Sequence, residues 1–163
     1  MLIELGRLIS DIQPAVIYQK HREPDTWKWL EGPKEFDYIM HAPEVIHSTV
    51  AINLSLSASI VNDRIYSVLG DDVSIWTLTI ETPSNDFLKS RNQLSIFRKK
   101  MRYLFDKIKA THGQNATIHL FPACPVSVAI EIGRVWMPKA DLPLVIYDQN
   151  SKLGKFIETF TIT

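Results

Sequence analysis

The chain has 163 residues, which is enough for one domain with a hydrophobic core of its own. Its 18 Lys and Arg residues balance 18 Asp and Glu residues, which argues against a duplex-binding protein held mainly by phosphate contacts but allows a local basic surface. The single cysteine excludes a disulfide framework and a cysteine-rich zinc site.

The sequence predicts a cytoplasmic protein without a membrane partner. No apolar run approaches the ~18 residues that a membrane-spanning helix needs. Glu4 and Arg7 interrupt the first apolar stretch, where a signal peptide would be uninterrupted. A lone cysteine is also typical of a reducing compartment.

The first elements in chain order are a helix and a strand. Apolar residues between Leu2 and Ile12 recur at helical spacing, and Pro14 ends the predicted helix. The stretch AVIYQ, residues 15–19, is apolar and bounded by polar residues, which predicts a buried strand.

A long loop and a short edge strand follow. Residues 20–34 are rich in proline, glycine and charge, and residues 36–40 lie between prolines, as is typical of an edge strand. Within the loop, Trp27 and Trp29 flank Lys28. This arrangement could stack a base and contact a phosphate, or it could cover the edge of a sheet.

The middle of the chain predicts two strands, around residues 49–57 and 74–81, with a short helix at 61–69 between them that ends at Gly70. Residues 87–110 then predict the longest helix, capped by the sequence Ser84-Asn85-Asp86. Its remaining face is crowded with Lys and Arg, which indicates either a solvated surface or a contact surface for another subunit.

The last third alternates strand and helix. Residues 116–121 predict a strand that ends at Pro122, residues 126–135 a helix, and residues 144–148 and the C-terminal FIETFTI two further strands. Strands alternating with helices predict an α/β fold, with a Rossmann-like sheet, flanking helices and parallel connections.

Two segments of the chain resemble each other. Gly6-Arg7 is followed by PAVIYQ at residues 14–19, and Gly133-Arg134 is followed by PLVIYD at residues 143–148. An internal repeat predicts two related lobes. Residues 1–45 would then be the end of a truncated first lobe and residues 46–163 a second lobe, so the chain is either a fragment or a piece of a larger polypeptide.

The most informative stretch for function is HLFPACPVS, residues 119–127, in which a predicted strand meets the start of a predicted helix. Free N–H groups at a helix start attract anions, and ligands of open α/β sheets bind beyond the carboxyl ends of the strands. Cys124 could act there as a nucleophile, but no histidine pattern supports it, and a small buried residue is the simpler interpretation.

Residues 118–136 (IHLFPACPVSVAIEIGRVW) followed by PLVIYDQN resemble the C-terminal signature of SAVED domains. The strand AINLSLSASI and the helix RNQLSIFRKKMRYLFDKI are also similar to elements of that family. The resemblance implies two fused lobes like those of CARF domains. It further implies a sensor of cyclic oligonucleotides that activates a nuclease, TIR or protease effector in CBASS or type III CRISPR antiphage defence.

On this basis we predict that the chain binds a cyclic oligoadenylate, specifically a cyclic trinucleotide, and self-associates when bound. We expect no catalytic residue, metal or cofactor. The alternatives are a nucleotide hydrolase or ring nuclease that degrades this ligand, and an assembly module that only contacts a neighbouring subunit. The predicted ligand contacts lie at strand ends and on the following helix: Tyr18, Gln19, Lys20, Ser55, Ser57, Phe121, Pro122, Ala123, Pro125 and Ser127.

Overall fold

A computed structural model of the protein, which describes residues 2–10 and 12–163, contains four helices and six strands within those ranges. The helices are α1 (Leu2–Ile9), α2 (Asp63–Leu69), α3 (Arg91–His112) and α4 (Val126–Val135). The strands are β1 (Ile39–His41), β2 (Thr49–Ser55), β3 (Val73–Thr79), β4 (Ile118–Ala123), β5 (Leu144–Asn150) and β6 (Lys155–Ile162).

The strands form one mixed sheet in the order β1-β3-β2-β4-β5-β6. The four central strands are parallel, and the edge strands β1 and β6 run antiparallel to their neighbours β3 and β5. Helices connect the parallel strands, as the alternation of elements predicts. The structure therefore confirms the α/β fold with a Rossmann-like sheet.

Apolar clusters pack against both faces of the sheet. Helices α1, α3 and α4 cover one face, where strand residues such as Ile52 and Leu120 meet Phe97 and Met101 of α3. Helix α2 covers part of the other face over a smaller cluster that includes Phe121. Because both faces are covered, β2 is buried along almost its whole length.

Helix α3 begins later than the sequence predicts. Its N-terminal cap is Ser90, whose hydroxyl accepts a hydrogen bond from the Gln93 backbone N–H while the Gln93 side chain accepts one from the Ser90 backbone N–H. The predicted cap at residues 84–86 is wrong, because this reciprocal pair satisfies two helix-end donors together.

The predicted strand at residues 15–19 is also wrong. No strand among the described residues pairs with this segment, and Val16 and Tyr18 are exposed. The segment lies instead beside α3 and α4, and only Ile17 packs against the core. A strand sequence needs a neighbouring strand to supply its hydrogen bonds, and none lies beside this segment.

Helices α1 and α4, which contain the two Gly-Arg pairs of the repeated sequence, contact each other through their glycines. The similarity of the two segments in sequence therefore extends to their structure in these helices. A Cβ atom on Gly6 would lie 1.9 Å from the carbonyl oxygen of Ile130, and one on Gly133 would lie 1.9 Å from that of Ile3. Each glycine thus faces the carbonyl three residues before the other glycine, which is the relation expected of a local two-fold axis. The predicted division into two lobes stays a prediction.

Candidate functional site

The connections of the sheet reverse direction between β2 and β4. Strand β2 leads through α2 to β3 on one side, and β4 leads through α4 to β5 on the other side, with α2 and α4 on opposite faces. Such a switch point opens a crevice beyond the carboxyl ends of the two strands, where open α/β sheets bind ligands. A cavity of about 620 Å³ lies there, and we call it the switch-point cavity.

Five of the ten predicted contact residues line this cavity, and a sixth, Ser127, contacts one of those five. Tyr18, Gln19 and Lys20 line one side, and Ser57 and Pro125, which follow β2 and β4, line the other. Ser127 is fully buried on the first turn of α4, and its hydroxyl donates a 2.7 Å hydrogen bond to the side-chain oxygen of Gln19. The cavity therefore lies between residues 18–20 and the start of α4.

The other predicted contact residues lie elsewhere. The buried Ser55 hydroxyl donates to Asn53 and accepts from the Ile60 backbone N–H, and the ring of Phe121 stacks on Tyr147 under the opposite face of the sheet. The Ala123 carbonyl accepts from the backbone N–H groups of the two residues after β2, and Pro122 lines a different crevice. A contact between these residues and a ligand stays a prediction.

The start of α4 supplies backbone donors to the cavity wall. The first helical hydrogen bond runs from the Ala129 N–H to the Pro125 carbonyl at 3.0 Å, so the N–H groups before Ala129 precede the helical ladder. Pro125 provides no side-chain cap. Uncapped N–H groups and the helix dipole favour an anion at this position.

Charged residues of both signs surround the opening. Lys20 and Arg22 line it together with Glu23 and Asp86, and Lys20 forms an ion pair with Asp25. The cations are therefore matched by acids of the same chain, as the zero formal net charge leads one to expect.

Two aromatic residues stand at the rim. Half of Tyr18 is exposed, and the Arg91 guanidinium lies 5.6 Å from its ring centre. Trp27 is more exposed still, and the Lys20 ammonium lies 5.8 Å from its ring. Rings held at one face by a cation leave the other face for a planar ligand group.

His21 is the most deeply buried of the polar cavity residues that the predicted contacts did not include; the others are Arg22, Glu23, Asn85 and Asp86. His21 is only 1% exposed, its ring meets Trp29 edge-on at 6.1 Å, and its Nε2 atom has no hydrogen-bond partner among the described residues. Burial lowers the pKa of His21, and the nearby Lys89 cation lowers it further while Asp86 opposes them, so the neutral ring is favoured. No spacing in the loop sequence marks this residue.

Cys124 lies in the cavity wall with its side chain partly buried. Burial raises its pKa to about 12, so the thiolate that a nucleophile requires is not formed near pH 7. In residues 2–10 and 12–163 no three His, Cys, Asp or Glu side chains gather as metal ligands would. Nor does any helix within these ranges have the length and apolar content to cross a bilayer.

Known structures share this fold. The chain superposes on the Acinetobacter baumannii Cap4 SAVED/CARF-domain receptor with the cyclic trinucleotide 2′3′3′-cAAA with a TM-score of 0.70 and 16% identity. The same receptor with 3′3′3′-cAAA gives a TM-score of 0.67 and 16% identity. Each match covers 98% of this chain but 35% of the receptor, so the chain spans about a third of its length.

Sequence comparison identifies the family. No curated protein sequence matches the chain. The model of the SAVED domain, described as the "SMODS-associated and fused to various effectors sensor domain", matches residues 1–162. Because that match covers almost the whole chain, the protein belongs to the SAVED family of sensor domains.

Proposed function

We propose that this SAVED domain senses a cyclic oligoadenylate, with a cyclic trinucleotide as the preferred ligand, and that the ligand binds in the switch-point cavity during antiphage defence. The observation that carries the proposal is the convergence of Tyr18, Gln19, Lys20, Ser57 and Pro125 at the switch point of the sheet. The fold shared with a receptor that holds cyclic trinucleotides supports the same ligand class.

The start of α4 would hold a phosphate of this ligand. Its uncapped N–H groups can donate to phosphate oxygens without the neutralising cations that duplex-binding proteins need. The Ser57 hydroxyl lines the same side of the cavity as the start of α4 and would donate to the same phosphate or to a ribose. Lys20 would exchange its partner Asp25 for a phosphate.

The rim aromatics would hold the bases. Tyr18 and Trp27 each offer an exposed ring, and stacking on such rings is worth about 1–3 kcal/mol per base. Ser127 would act indirectly, because its hydroxyl is buried and fixes the Gln19 side chain in the cavity wall.

Sensing requires that the ligand favour one arrangement of the domain over another. The cavity is well suited to this, since its walls come from the 18–27 segment on one side and from β2 and α4 on the other. A ligand that bridges the two sides would draw them together. An effector module of the nuclease, TIR or protease type would respond, and self-association is part of the same proposal, as is a cytosolic location.

We expect binding without turnover, and therefore no metal or cofactor at this site. The raised pKa of Cys124 argues against a thiolate nucleophile, and the neutral His21 is held edge-on against Trp29. Incubating the chain with cyclic triadenylate and separating the products by chromatography tests this directly. Accumulation of linear oligoadenylate would establish the ring-nuclease alternative instead.

The binding site is tested by a charge placed at the start of α4. Val126 is exposed on the cavity wall, and Val126→Glu puts a carboxylate where the phosphate should lie. An acid in the first turn favours the helix, so folding is preserved. We expect calorimetry to show at least a roughly tenfold weaker affinity for cyclic triadenylate, equivalent to about 1.4 kcal/mol.

Val126→Gln is the matched control, because it has the same size without the charge. Its affinity should stay close to that of the wild-type chain. Equal binding by the Glu and Gln variants would remove the α4 start from the site. Failure of the wild-type chain to bind any cyclic di-, tri- or tetranucleotide would overturn the proposed function.

A further inference from the structure

A second crevice opens where β4 and β5 separate. The two strands pair from Ile118 and Leu144 only as far as Leu120 and Ile146. The Ile118 N–H donates to Pro143 on the β5 side, so alternate residues of β4, including Pro122, face β5. Proline has no N–H to donate, and the ladder ends there while β4 continues beside β2.

The crevice has a volume of about 350 Å³, within the range of small-ligand sites. Its walls include Leu2 at the start of α1, Pro122 and Cys124 from the end of β4, and Tyr147 and Asp148 from β5. The Tyr147 ring stacks on Phe121 at 4.4 Å, and its hydroxyl lies 3.1 Å from the His119 Nδ1 atom. These ring contacts lie on the opposite face of the sheet, in the cluster that α2 covers, so they hold β5 in place from the face opposite the crevice.

This crevice and the switch-point cavity are related by the repeat. Aligning PAVIYQ with PLVIYD pairs Tyr18 and Gln19 with Tyr147 and Asp148. The first pair lies by the start of α4, and the second lies by the start of α1, which is the same arrangement about the α1–α4 axis. Cys124 lines both cavities, so they adjoin.

The chemistry of the two cavities differs. The switch-point cavity carries charges of both signs, with Lys20 and Arg22 beside Glu23 and Asp86, whereas Asp148 is the one charged side chain among the described residues that line the crevice. One carboxylate oxygen of Asp148 accepts from the Gln149 backbone N–H at 2.8 Å, which orients the group. A carboxylate repels phosphate and accepts hydrogen bonds, so it fits a neutral group that donates them.

We propose that this crevice is a second subsite that takes one base of the ligand, and that Asp148 accepts a hydrogen bond from the 6-amino group of adenine. The proposal rests on the proposed function, because a cyclic oligonucleotide repeats the same nucleotide unit and can place one unit in each adjoining cavity. Asp148 is then the residue that distinguishes adenine from purines with a carbonyl at position 6.

The subsite is tested by whether a substitution of Asp148 raises or lowers the affinity for cyclic triadenylate. If Asp148 only repels a ligand of several negative charges, Asp148→Ala, which removes both the charge and the acceptor oxygens, tightens binding of cyclic triadenylate. If it accepts from adenine, the same change weakens binding about tenfold, within the range for loss of a base-reading contact. Because an amide can donate to a carbonyl, Asp148→Asn should also bind the hypoxanthine analogue of the ligand more tightly than the wild-type chain does.

Calorimetry with cyclic triadenylate and its hypoxanthine analogue measures both effects, and thermal melting confirms folding. Asp72→Ala and Asp72→Asn are the matched controls, since Asp72 is fully exposed just before β3, at the opposite end of the parallel strands. Wild-type preference for adenine, reversed or narrowed by the Asp148 variants and not by the Asp72 variants, supports the subsite. Unchanged preference or tighter binding of cyclic triadenylate by Asp148→Ala overturns it while leaving the function standing, whereas a wild-type chain that binds neither ligand overturns both.

Discussion

Helices α1 and α4 carry the same pattern, Ile-Glu-x-Gly-Arg, but the protein buries only one of them. With the glycines aligned, Ile132 on α4 is 0% exposed and its counterpart Leu5 on α1 is 44% exposed. Val135 is 7% exposed and its counterpart Leu8 is 67% exposed. The sheet covers the outer face of α4, and no described residue does the same for α1. Burial is thus decided by neighbours, not by the amphipathic pattern of the helix itself.

The equivalent ion pairs show the same contrast. Glu131 and Arg134 are almost completely buried, and Arg98 of α3 approaches Glu131 at 3.4 Å. Glu4 and Arg7 make the same contact with about 30% of each side chain exposed. Partial solvation weakens the second pair, because water screens the charges and competes for their hydrogen bonds. One sequence pattern therefore yields a core network in one helix and a surface contact in the other.

The largest expected effect comes from truncating the matched apolar positions. Ile132→Ala should lower the free energy of unfolding by about 3 kcal/mol, because it leaves a cavity in the layer between α4 and the sheet. Leu5→Ala should cost less than about 1 kcal/mol, since that side chain remains partly in water. Urea titrations of both variants measure the difference. Equal losses would show that α1 is covered as fully as α4 in solution.

Substituting either glycine of the α1–α4 contact should lower the free energy of unfolding by a similar amount. Gly6→Ala and Gly133→Ala each place a methyl group against a backbone carbonyl of the other helix. Overpacking of this kind costs about 1–3 kcal/mol, and undocking of α1 limits the loss in both variants. We therefore expect similar free energies of unfolding for the two variants. The double variant should lose less than the sum of both, because one methyl group already separates the helices.

Sequence reasoning was most accurate where local signals agree. Helix α4 has the bounds predicted for it, residues 126–135, because Pro125 precedes it and its apolar residues keep helical spacing. The same reasoning failed for residues 15–19, which share the Val-Ile-Tyr pattern of β5 without a neighbouring strand. Strand formation depends on a partner elsewhere in the chain, and one segment contains no information about that partner.

The residues that line the switch-point cavity were predicted only in part, because local sequence signals mark strand ends but not contacts made elsewhere in the chain. Placing contacts at strand ends found Ser57 and Pro125, which lie at the switch point. It also selected Ser55 and Phe121, which lie outside the switch-point cavity and whose contact with a ligand stays a prediction, because the sequence does not show which face of the sheet each strand residue occupies. His21 was missed because its burial comes from the packing of Trp29 and not from any local pattern.

The smallest expected effect concerns the exposed ion pair of α1. Arg7→Met removes the charge but keeps much of the aliphatic stem, and it should cost at most about 0.5 kcal/mol at pH 7. The Arg7 side chain lowers the pKa of Glu4 by hydrogen bonding to its carboxylate. A carboxyl with a lowered pKa in the folded state stabilises that state above its ordinary pKa, and the contribution is lost as the pH falls through the lowered value. The difference between wild-type and Arg7→Met chains in urea titrations should therefore be present at pH 7 and absent once Glu4 is protonated. A difference that persists in acid would mean that the Arg7 guanidinium stabilises the folded chain through contacts other than its ion pair with Glu4.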